Sequence, residues 1–260
     1  MKGITHIMLS LTTLLVILAP LTRTFLDIDP DVVIPLILIV LGVFFGSITP
    51  DVDLGKNSAI FHSSIPGAKG KKFFLTPVFG YTVCYTVYYP VRALFVLFFG
   101  KKIYAKEGHR ELPHSPLGCI CMAILLTAYI WLICFCLSFV PALSGLYNHP
   151  CIFIFGGSFL LGCFMHLIED TCDFSGIHYL YPFVFRRVRG KLQGNGKEIR
   201  PRVYAVILLL AAAVLCTLSF IGILVELKAV IAAVAVPIVL WIIFMLASGV
   251  PAKKQNRQMD

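Results

Sequence analysis

Charge is what this chain has least of: only 13% of its 260 residues are Asp, Glu, Lys or Arg, where a soluble domain carries about a quarter. With 58% hydrophobic residues beside that deficit, a water-soluble domain is excluded and a bilayer is the expected surrounding. A small-residue cleavage site is also missing after the first apolar run, so Met1-Lys2-Gly3 and the residues behind it are expected to be a retained span rather than a signal peptide. No inverted repeat is evident, which removes the usual sequence mark of a transporter. Cysteine is present but offers no framework. The nine cysteines are an odd number and sit mostly inside apolar runs, at Cys84, Cys119, Cys121, Cys134, Cys136, Cys163 and Cys216. The Cys119/Cys121 and Cys134/Cys136 pairs point to different sides of a helix and are read as small core residues.

What is present is a series of apolar runs near spanning length, about 18 to 20 residues. They cover Ile7–Leu21, Val32–Ile48, Leu117–Val140, Ile152–Leu167, Val203–Leu224 and Val230–Leu246. The expected fold is therefore all-α, a polytopic transmembrane helical bundle of about six spans. Lys and Arg are retained on the cytoplasmic side of short loops, and with the amino terminus inside, all but Arg23, Arg92 and Lys228 of the 22 basic residues fall in cytoplasmic segments. That count requires the stretch Phe73–Phe99 to begin and end on one side, between Lys69-Gly70-Lys71-Lys72 and Lys101-Lys102. A re-entrant or interfacial hairpin over 73–99 is expected, with Pro77, Gly80, Pro90 and Arg92 as its breakers and its charge; the alternative is a seventh span that violates the charge rule once. Three parts follow: a metal-site membrane domain over 1–185, a basic cytoplasmic loop over 186–202, and a two-span hairpin with its tail over 203–260.

The histidines play no part in orienting the chain, yet His6, His62, His109, His114, His166 and His178 all come out on the cytoplasmic side or at inner span ends, and only His149 lies outside. Asp51, Asp53, Asp170 and Asp173 join them. Imidazoles and carboxylates from four distant stretches thus converge on one membrane face, as a metal site requires. His166 and Asp170 stand four apart on one helical face, a spacing suited to a shared zinc or other first-row cation. The same spacing also serves a buried histidine hydrogen-bonded to a helical aspartate. Glu169 is expected to point elsewhere, solvated or paired with Lys or Arg. Asp51 and Asp53, two apart after Pro50, suit a bridging and a terminal ligand. In Gly108-His109-Arg110-Glu111-Leu112-Pro113-His114-Ser115-Pro116, Ser115 reads as a helix N-cap and Pro116 as the first helical residue. Arg110 is suited to hold a phosphate or carboxylate. Thr5-His6 adds a seventh donor, whereas His62 and His178 are not expected to be primary ligands.

Pro50-Asp51-Val52-Asp53, His109-Arg110-Glu111-Leu112-Pro113-His114-Ser115, and Gly162 through Thr171 with Gly176 and Tyr181-Pro182-Phe183 resemble, in order, the motifs of the predicted membrane-bound metal-dependent hydrolases of bacteria and archaea. Thr5-His6 matches the amino-terminal Thr-His of that family, and the resemblance covers about residues 1–185. It implies a hydrolase with no settled substrate. Two departures stand out: Leu54 replaces the histidine that commonly follows Pro-Asp-x-Asp, with His62 as the candidate substitute from the same loop, and Glu111 and Pro113 alter the His-Arg-Gly-x-Thr-His-Ser turn.

The expected site holds one or two divalent ions, zinc first with manganese or iron as alternatives, on His6, Asp51, Asp53, His109, His114, His166 and Asp170. Arg110 would neutralise an anionic substrate and Asp173 would orient a ligating histidine. A membrane-embedded hydrolase at the cytoplasmic leaflet of a bacterial or archaeal inner membrane, with both termini cytoplasmic and a lipid or lipid-linked phosphoester as substrate, is the expected function. Its rivals are a metal-ion or proton transporter using the same groups, and a scaffold whose basic run Arg186 to Lys191 binds acidic lipid. The lipid bilayer is the expected partner and nucleic acid is not.

Overall fold

The computed structural model of the chain describes residues 3–25, 30–62, 75–100, 110–194 and 198–251. Seven helices among them are long and apolar enough to cross a membrane. They are α1 (Gly3–Leu18), α2 (Pro30–Gly46), α3 (Leu75–Phe99), α4 (Pro116–Ser138), α5 (His149–Thr171), α6 (Arg200–Phe220) and α7 (Glu226–Ala247). Tight 3-10 turns prolong α1 over Ala19–Phe25 and follow α2 over Thr49–Asn57. No strand occurs among the described residues beyond the isolated bridges Asp173–Leu192 and Ile177–Val188. The all-α polytopic bundle is thus as expected.

The helices start where local chemistry permits. The Ser115 side chain accepts the Gly118 N–H at 3.0 Å with Pro116 in the first turn of α4, as read from the sequence. Asn148 does the same for α5, accepting from Cys151 N–H at 3.2 Å ahead of Pro150. In lipid there is little hydrophobic drive between helices, so close backbone approach over small residues does much of the holding. Between α2 and α5 that approach is extreme: a methyl added to Gly42 would lie 2.7 Å from the Ser158 Cβ, one added to Gly162 would lie 2.5 Å from the Val43 carbonyl, and one at Gly46 would strike the Phe159 carbonyl. A second core joins α1 to the C-terminal pair through Leu9, Val16, Tyr204, Leu208, Trp241 and Phe244, all buried. Outward residues such as Ile37, Ile124, Leu210 and Val234 are exposed, as on a surface that faces lipid.

The segment expected to fold back as a hairpin does not. Leu75–Phe99 is one helical run of 25 residues. Each breaker is absorbed: Pro77 lies in the first turn, where its missing N–H costs nothing; Gly80 gives the close approach to the Ile60 carbonyl, which an added methyl would meet at 2.5 Å; and a π-helical stretch over Cys84–Tyr88 precedes Pro90. Both ends of α3 nevertheless reach the same end of the bundle. Phe79 stacks on Phe45, in the last turn of α2, at 3.9 Å, and Phe99 meets Phe183, in the loop after α5, at 5.6 Å. The ends of α2 and α5 are themselves adjacent, since His166 Nδ1 lies 2.7 Å from the Ser47 carbonyl. Tyr81, Tyr85 and Tyr89 are exposed along α3, a placement suited to aromatic side chains at a membrane interface.

Candidate metal centre

Four elements bring polar side chains to that same end. The last turns of α5 present His166, Glu169 and Asp170, which share a helical face at i, i+3 and i+4. The 3-10 turn after α2 supplies Asp51 and Asp53. His6 comes from the first turns of α1, and Arg110 and His114 from the turn ahead of α4. That turn is unusual in its backbone: Arg110 has φ of 77°, a conformation costly for a residue with a Cβ. It directs the Arg110 side chain inward, where the residue keeps only 6% exposure.

The donors meet closely. His114 Nε2 and His166 Nε2 are 3.3 Å apart. His114 Nε2 lies 3.4 Å from Asp51 Oδ1 and 3.5 Å from Asp170 Oδ2, and His166 Nε2 lies 3.7 Å and 3.5 Å from the same two oxygens. Tetrahedral zinc with donors about 2.0–2.2 Å away separates them by about 3.3–3.6 Å, so His114, His166 and Asp170, 3.3 to 3.5 Å from one another, are spaced as donors around one small cation, with Asp51 beside them. The tautomer agrees. A carbonyl only accepts, so His166 Nδ1–H donates to Ser47, and Nε2, which carries the lone pair in the neutral ring, faces the other donors. Nitrogen lone pairs and carboxylate oxygens facing one another in a fully buried space call for a cation between them. His114, His166 and Asp170 are fully buried, and Asp51 keeps 6% exposure. Burial also holds His114 below the usual imidazole range, in the neutral form that ligates metal. His6 completes a second trio with Asp51 and His166, its ring stacked on that of His166 at 3.8 Å.

Other expected residues sit around this set. Asp53 Oδ2 accepts the Arg110 backbone N–H at 3.2 Å and lies 3.7 Å from His114 Nδ1, behind the imidazole. Asp173 engages Arg110: Arg110 Nη2 donates to Asp173 Oδ2 and to Asp170 Oδ1, each at 3.1 Å. Burial opposes the guanidinium charge, but these two carboxylates outweigh it and push the Arg110 pKa up. Its Nε and Nη1 are buried and meet no hydrogen-bond partner.

Glu169 overturns the expectation that it points to solvent. It is fully buried, its Oε2 2.5 Å from His6 Nδ1 and its Oε1 accepting the Ser10 hydroxyl at 2.9 Å. The sequence does carry a signal for it: i+3 from His166 is as much a shared face as i+4 once α1 packs there. His109 lies outside the described residues. His62 is exposed and joins neither trio, so it does not replace the histidine that Leu54 displaces. His178 belongs to a separate buried group, accepting from Arg187 Nε at 2.8 Å with Glu111 Oε1 3.7 Å away. That group ties the Glu111 turn to the loop after α5.

The sequence matches the family described as YdjM inner membrane protein over residues 1–252. No curated protein and no solved structure matches it.

Proposed function

The chain belongs to the YdjM inner membrane protein family, and from that premise we propose that it is a membrane-embedded, metal-dependent hydrolase acting at the cytoplasmic leaflet on a phosphoester of a lipid or lipid-linked substrate. One observation carries the reading: the Nε2 atoms of His114 and His166 lie 3.3 Å apart, and each stands 3.4 to 3.7 Å from an oxygen of Asp51 and an oxygen of Asp170, the four residues coming from three separate elements in a buried space. Two imidazoles and two carboxylates suit zinc first, with manganese or iron sharing the preference.

A bound divalent ion supplies an acidified water and polarises the scissile group. The protein's own residues do the rest. His114, His166 and Asp170 are fully buried, and Asp51, buried but with 6% exposure, lies on the side from which water and substrate would approach. Arg110, fixed by Asp170 and Asp173, turns Nε and Nη1 toward the oxygens of an anionic substrate as charge develops there. The scarcity of basic residues away from this end of the bundle supports its cytoplasmic placement. A metal or proton carrier would set such groups near mid-helix, whereas these gather at helix ends.

The test is metal analysis of detergent-purified protein beside His166→Ala and Asp170→Ala, followed by a phosphoesterase screen on lipid substrates. Stoichiometric metal in the wild type, lost from both variants, is expected, with ester cleavage that follows metal content. Equal metal in all three proteins would overturn the site; ion flux in proteoliposomes without ester cleavage would favour the carrier.

A further inference from the structure

Glu169 has no place in the site as so far described, yet it is a fully buried carboxylate from the same helix face as two of the donors. Both of its oxygens are engaged: Oε1 by the Ser10 hydroxyl at 2.9 Å, Oε2 by His6 Nδ1 at 2.5 Å. An ionised carboxylate offers only acceptors, so with Glu169 ionised the proton between the two side chains sits on His6 Nδ1. That leaves the Nε2 lone pair of His6 as its outward face. His6 Nε2 is buried and meets no hydrogen-bond partner, and it lies 3.5 Å from Asp170 Oδ1 on the cluster side of the ring. Stacking on His166 at 3.8 Å fixes the plane of the ring as well. Tautomer, direction and plane of His6 are therefore all set by neighbours, which is unusual for a histidine in the first turn of a helix.

We propose, resting on the metal centre above, that Glu169 is the positioning residue of that centre: with Ser10 it holds His6 in the Nδ1–H tautomer, so that Nε2 joins Asp51 and His166 as a donor to the bound cation. A carboxylate behind a ligating imidazole fixes its orientation and raises its basicity, and loss of such a partner typically weakens metal binding about 10- to 100-fold. Ser10, one turn of α1 beyond His6, keeps the Glu169 side chain from turning. The arrangement couples α1 to α5 through one proton, so that the first helix of the chain is part of the metal centre although it packs mainly on α6 and α7.

The test is zinc affinity, measured by competition with a chromophoric chelator on detergent-purified protein, in a double-mutant cycle between Glu169→Ala and His6→Ala. Glu169→Ala is expected to weaken zinc binding about 10- to 100-fold in the wild-type background and to have no further effect once His6 is alanine. Glu169→Gln, which can still accept from Nδ1–H, is expected to restore most of the loss. The thermal midpoint of the metal-free proteins separates this from general damage, since a purely structural Glu169 would lower that midpoint equally with or without His6. Unchanged zinc affinity in Glu169→Ala, or an equal loss in both backgrounds, overturns the inference. Should Glu169→Ala not fold, Ser10→Ala takes its place in the same cycle, with a smaller loss expected in the wild-type background only. Failure of the wild type to bind zinc would instead overturn the metal centre itself.

Discussion

Arg110 is the residue on which a structural and a chemical role can be separated by substitution. Its guanidinium bridges Asp170 and Asp173 from one nitrogen while Nε and Nη1 stay uncommitted. A lysine keeps the charge but not the planar fork. Arg110→Lys is therefore expected to retain metal while cleavage of an anionic ester falls on the order of 10²- to 10³-fold, the usual cost of losing one charge-stabilising donor. Arg110→Ala leaves two buried carboxylates without that partner and is expected to cost about 3–5 kcal/mol, seen as a lower thermal midpoint. Metal content and kcat of both variants check the first outcome, and thermal denaturation the second. At this scale the sequence alone is informative: His166 and Asp170 are legible from their helical spacing, His114 and Arg110 from their place beside a helix start. Glu169 is not, because an i, i+3 neighbour becomes a partner only when another helix packs against that face, and the residues of α1 that meet it lie about 160 positions away in the chain. Asp173 belongs near the site by its position after α5, but its partner, Arg110, comes from a different loop.

Among the elements, the α2–α5 pair sets the precision of the centre, because Asp51 follows one helix and His166 and Asp170 end the other. Gly162 is the critical contact: a side chain there meets the Val43 carbonyl, which is backbone and cannot move aside. Gly162→Val is expected to destabilise the protein by about 1–3 kcal/mol and to lower its zinc content, whereas Gly157→Val, on the same helix with nothing within 4 Å of an added methyl, should do neither. Thermal midpoints and metal analysis of the two variants decide it; equal behaviour would show that helix spacing does not govern the site. Six of the seven helices are visible as apolar runs, since length and hydropathy suffice for those. The course of α3 is only half visible. Basic residues on both flanks require its ends to lie together, as the contacts of Phe79 and Phe99 also suggest, but Pro77, Gly80 and Pro90 point to a turn, and their absorption into a first turn, a packing contact and a π-helical stretch depends on neighbours that composition does not reveal.

For the molecule as a whole, the arrangement makes sidedness testable without any assay of activity. The start of α1 carries His6, and the end of α7 is held at the same end of the bundle by Lys191, whose N–H donates to the Ser248 carbonyl at 2.8 Å. The turn Pro141–Leu146 lies between α4 and α5 at the far end. A carboxy-terminal fluorescent fusion is expected to mature in the cytoplasm, and a phosphatase inserted at Pro141–Leu146 to be active outside it. The course of α3 gives a sharper prediction. Leu75→Cys and Phe99→Cys, both at exposed positions, should react with an impermeant maleimide from the same side, above the background of the native cysteines. Its 25 residues, about 37 Å at 1.5 Å per residue, are long enough to cross a hydrocarbon core of about 30 Å, so length alone does not favour this outcome. What favours it is the chain that follows. If Phe99 stood on the far side, residues 100–109 would have to recross the bilayer to bring His114 within 3.4 Å of Asp51, carrying Lys101, Lys102 and Lys106 through lipid in about half the length that a spanning helix needs. Labelling from opposite sides would therefore overturn more than the course of one helix: it would separate His114 from Asp51 and dissolve the metal centre with it.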